Sequence, residues 1–156
     1  MPRRDGLGVL GWPPGPGARL DAGAVREALS AARRGHDLVV VDLPRSTDAL
    51  AAETVARCAL VVVVVLPTVT GVAAASRWVA AMPDHDRFGL VVRGRGADPA
   101  RVAELVGAPV VASMSDQRGL AEALDLGLGP VRSRRGPLAA AARQVLAGVL
   151  PSAVAA

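Results

Sequence analysis

His36–Thr47 reads HDLVVVDLPRST. Leu38-Val39-Val40-Val41 is an unbroken apolar run that ends on Asp42. Leu43-Pro44 closes it, and Arg45-Ser46-Thr47 leads toward a helix. A run with no polar alternation is the signature of a strand covered on both faces, and hence of a parallel sheet. An acid at the C-terminal end of such a strand stands where open α/β sheets bind their ligands, though a plain turn cap is the simpler role for Asp42.

Outward from this stretch, apolar runs and helix-spaced segments alternate. Gly6–Trp12 reads as a short strand closed by the loop Pro13-Pro14-Gly15-Pro16-Gly17. Asp21 is a helix N-cap, and Ala22, Val25, Leu29 and Ala32 space one apolar face that stops at Gly35. After the opening strand, a helix is expected over Asp48–Ala59 with Thr47 as its cap. Leu60–Leu66, with five consecutive valines, is the most strand-like run and stops at Pro67. Thr70–Met82 is a helix with Val72, Ser76 and Val79 on its core face and Trp78 on another. Phe88–Val92 and Pro109–Ala112 are strands. Helices are expected from Asp98 through Leu105, ending at Gly107, and over Asp116–Leu126. Pro137 opens a last helix that runs to Leu150. The expected architecture is α/β: one domain over residues 1–156, with a parallel, doubly wound sheet of about five strands and helices on both faces.

Composition narrows the chemistry. The chain is 51% hydrophobic and 2% aromatic, so aliphatic side chains must build the core, and a base-stacking nucleic-acid module is disfavoured. All 18 basic residues are arginine, which excludes any lysine-based catalysis from this chain. Cys58 is the single cysteine, so no intramolecular disulfide forms, in keeping with a reducing cytosol. His36 and His85 flank strands without catalytic or zinc-type company. The run after Arg3-Arg4 is too short for a signal peptide. Cys58–Ser76 carries no charge and is long enough to span a bilayer, but Pro67, Thr68, Thr70 and Gly71 divide it into strand, turn and helix. The expected location is cytoplasmic, with a peripheral position at the inner face of the membrane as an extension.

Asp42-Leu43-Pro44-Arg45-Ser46 after an apolar strand resembles the Walker B and switch II segment of the MinD/ParA/CpaE group of P-loop ATPases. Later segments follow the family's order. Leu60–Pro67 is similar to its next strand, Phe88–Arg93 to a strand that normally ends in Asn, and Leu120–Gly127 to its late helix. The nearest branch is the actinobacterial CpaE-like, septum-site-determining one. By this resemblance Asp42, Pro44 and Ser46 stand at magnesium and switch positions, and Arg93 at the adenine contact. A receiver-domain reading fails for want of a lysine.

The departures from the family matter equally. A P-loop needs amide-donating glycines, a Lys and a Ser/Thr on Mg²⁺. The one Gly-rich candidate, Gly11–Gly17, has prolines where donors are needed. Ser46 replaces the switch glycine. The resemblance therefore implies a degenerate or truncated ATPase-like domain that acts without catalysis. It would regulate the position of septum formation or of pilus or secretion assembly, through contacts with proteins of that machinery. This chain itself would carry no cofactor.

Two alternatives stay open. In one, the chain is the C-terminal part of an active ATPase whose phosphate loop lies upstream; ATP and Mg²⁺ are then its cofactors. In the other, Arg132, Arg134 and Arg135 form a basic surface for nucleic acid or membrane. A homodimer and a membrane surface are further partners compatible with the reading, and nucleic acid is disfavoured.

One packing expectation follows. The family normally places its phosphate-loop strand between the segments matching Leu38–Asp42 and Leu60–Leu66. Without that strand, Val39–Val41 is expected to pair directly and in parallel with Val61–Val64, since a bare apolar edge templates aggregation.

Overall fold

The computed structural model describes residues 3–4, 7–11, 21–83, 85–130 and 134–150. The expected loop at 13–17 and Arg132 lie outside these residues. By contact density the chain divides into two units, Met1–Asp42 and Leu43–Ala156.

In the first unit, β1 (Arg3–Arg4) pairs antiparallel with β2 (Leu7–Gly8). Of the strand expected over Gly6–Trp12, Leu7–Gly8 is strand and Val9–Gly11 is not, while Gly6 and Trp12 lie outside the described residues. Helix α1 spans Ala22–Gly35. Its first-turn amide at Ala24 donates to the Asp21 carboxylate at 2.8 Å, as the sequence indicates. Gly35 stays helical, and the helix ends instead at an extended His36, whose Nδ1 lies 3.1 Å from the Ala32 carbonyl. No residue of α1 is buried. Leu38–Val41 is not a strand. An apolar run becomes a strand only where a neighbouring edge takes up its N–H and C=O groups, and no ladder includes this segment.

The second unit holds the core. Helix α2 spans Ala49–Val55, shorter than expected, and Asp48 rather than Thr47 caps it by accepting from the Ala51 N–H at 2.8 Å. Strand β3 (Val61–Val65) leads to α3 (Val69–Ala80), β4 (Phe88–Arg93), α4 (Pro99–Val106) and β5 (Val110–Met114). A 3₁₀ turn at His85–Arg87 precedes β4. Gly107 adopts φ 80°, the left-handed conformation that ends α4. Helix α5 is short, Leu120–Asp125, and α6 spans Pro137–Val149.

The sheet order is β3-β4-β5, all parallel. The α/β class is as expected, with helices on both faces. Among the described residues the parallel sheet has three strands where about five were expected, and Leu38–Asp42 is not one of them. Among the described residues β4 is the ladder partner of β3, and Val39–Val41, expected to pair with Val61–Val64, is not a strand.

Alternation along the strands sorts two cores. Val61, Val65, Phe88, Leu90 and Val92 face α2, α3 and α4, packing with Val55, Val72, Val79, Val102 and Val106. Val91, Ala112 and Met114 face α6 through Ala141, with Leu138 and Val145 beside them. On α3 the buried positions are Val72, Ala75 and Val79; Ser76, expected in the core, is only half-buried. Trp78 also touches the first core, edge-on to Phe88 with ring centroids 5.8 Å apart.

Candidate functional site

Parallel strands bring their C-terminal ends to one edge, and three turns gather there. After β3, Leu66-Pro67-Thr68 turns into α3. The Thr68 hydroxyl accepts from the Gly71 N–H at 3.2 Å. After β4, Gly94–Ala97 crosses back over the first turn, and the Ala97 N–H donates to the Pro67 carbonyl at 3.0 Å. A Cβ on Gly96 would collide with that carbonyl, so only glycine fits the crossing. After β5, Ser115–Gly119 carries Asp116. The Gly94 N–H donates to the Met114 carbonyl at 2.8 Å, which ties the second turn to the end of β5.

Arg93 ends β4, and its Nε donates to Asp116 Oδ1 at 3.1 Å. Both side chains are substantially exposed, so the pair fixes geometry more than it adds stability. Sequence reading placed Asp116 inside a helix and missed this role. The helix begins only at Leu120, behind Gly119 at φ 67°. The available signal was the acid two residues past the strand end, the place where side chains converge on this edge.

The segment after Asp42 is held by packing and capping. Leu43 packs on the first core. The Ser46 carbonyl accepts from Trp78 Nε1–H at 3.4 Å. The Ser46 hydroxyl hydrogen-bonds to Asp48. The Asp48 carboxyl is held below its ordinary range, first by the Ala51 N–H and then by that hydroxyl. At the other end of α2, Arg87 Nη1 donates to the carbonyls of Cys58 (2.9 Å) and Ala56 (3.3 Å). Burial pushes the Cys58 thiol up, against the opposing charge of Arg87.

The residues singled out from sequence therefore fall in separate settings. Asp42 closes the first unit, exposed and without a hydrogen-bond partner among the described residues. Pro44, exposed, supplies no N–H. Ser46 is engaged by Trp78 and Asp48, and Arg93 by Asp116. Arg134 and Arg135 are exposed in the turn before α6, where the Arg134 carbonyl accepts from Arg143 at 2.6 Å. Among the described residues this donor set does not fit ATP·Mg²⁺. The Gly71 amide is spent on Thr68, and the Arg93 guanidinium on the Asp116 carboxylate. Among the described residues no group of three or more His, Cys, Asp or Glu could hold a metal ion. No described helix is long and apolar enough to cross a membrane, and Cys58–Ser76 resolves into the end of a turn, β3 and the start of α3.

The sheet face beside α6 holds a groove of about 430 Å³ that sequence reading did not find. Val64, Val91, Met114, Leu138, Val145 and Leu146 are among its lining residues, and Arg93 stands among them. Nothing local in a five-valine strand marks which of its residues stay uncovered.

No protein-family model matches the chain, and no solved structure matches it. It is similar to two uncharacterized proteins of Mycobacterium tuberculosis, Rv3660c of strain H37Rv and MT3760 of strain CDC 1551. Each is 44% identical over 159 residues, which is 98% of this chain. The chain spans 44% of the length of these relatives.

Proposed function

We propose that this chain is a MinD/ParA/CpaE-like domain that regulates the position of septum formation or of pilus or secretion assembly, and that it works through protein contact. It binds no nucleotide with its own residues. The observation that carries the reading is the C-terminal edge of the sheet. The edge lies where the family binds its ligand, yet its polar groups are turned on one another, with Arg93 on Asp116 and the Gly71 amide on the Thr68 hydroxyl. What the molecule offers a partner is apolar surface. The location that goes with this role is cytoplasmic, extending to the inner face of the membrane. The machinery that positions septa or pili supplies the partners.

The resemblance in segment order supports the family, and the greater length of the relatives leaves room for the enzymatic alternative, in which a phosphate loop elsewhere in a longer polypeptide restores ATP hydrolysis. Two measurements test the proposal. Titration calorimetry of this chain with millimolar ATP·Mg²⁺ should give no binding heat; micromolar binding abolished by Asp42→Ala contradicts it. In living cells, a fluorescent fusion of the full-length protein should concentrate at septa or poles, and its deletion should shift septum spacing. Uniform fluorescence together with unchanged septation and piliation contradicts the role.

A further inference from the structure

We draw no further inference here: the strongest candidate, the apolar groove between the sheet and α6 lined by Val64, Val91, Met114, Leu138 and Leu146, carries none because nothing in the structure shows what covers it.

Discussion

The sheet β3–β4–β5 presents two faces built from the same residue types, and they end in different states. On one, Phe88 and Leu90 are sealed under α2, α3 and α4. On the other, Ala141 of α6 covers Ala112 and Met114, while Val64 lies open. Five consecutive valines supply both environments. Burial here is decided by which helix lies overhead and which strand lies alongside. A sealed face is a finished stability element, and an open apolar one leaves surface in contact with water.

The sealed face should be the most sensitive part of the molecule. Phe88→Ala removes a side chain that touches both Trp78 and the valine core, and we expect a loss of about 3–5 kcal/mol in urea unfolding. A loss below about 1 kcal/mol would mean that this face is loosely packed.

At the C-terminal edge the effects should be small. A double-mutant cycle on Arg93 and Asp116 should give a coupling of about 0.2–1 kcal/mol that fades with added salt. A coupling above about 2 kcal/mol would show the pair to be desolvated, and would revive a built site at that edge.

Smallest of all is a pH effect at α2. The Asp48 carboxyl is held below its ordinary range in the folded chain by the Ala51 N–H and the Ser46 hydroxyl. A depressed folded value means that the cap's contribution is present above the unfolded carboxylate value. It is lost as pH falls through the folded value. Acid titration of stability should show this component, and Asp48→Asn should flatten it. An unchanged acid profile in the variant removes Asp48 as its source.

Much of the second unit was legible because its signals are local. Asp98, Gly107 and Pro137 each mark a helix end through their own backbone chemistry, and all three do so in the structure. The valine run of β3 and the strand at Phe88 needed only side-chain character. Leu38–Val41 has the same character and is not a strand, since strand formation depends on a neighbour that four residues cannot encode. The candidate site was less legible for a related reason. Arg93 was singled out by position, but its partner Asp116 lies 23 residues on, in a turn that resembled a helix start. The groove is a property of assembled elements and has no sequence signature.

The most direct test of the central contrast compares adjacent valines on β3. Val65 is 2% exposed and Val64 is 62% exposed. In the present 156-residue chain, Val65→Ala should cost about 2 kcal/mol in denaturant unfolding and Val64→Ala less than about 0.5 kcal/mol. Equal losses at the two positions would contradict the account, because the α6 side of β3 would then be as closed as the other.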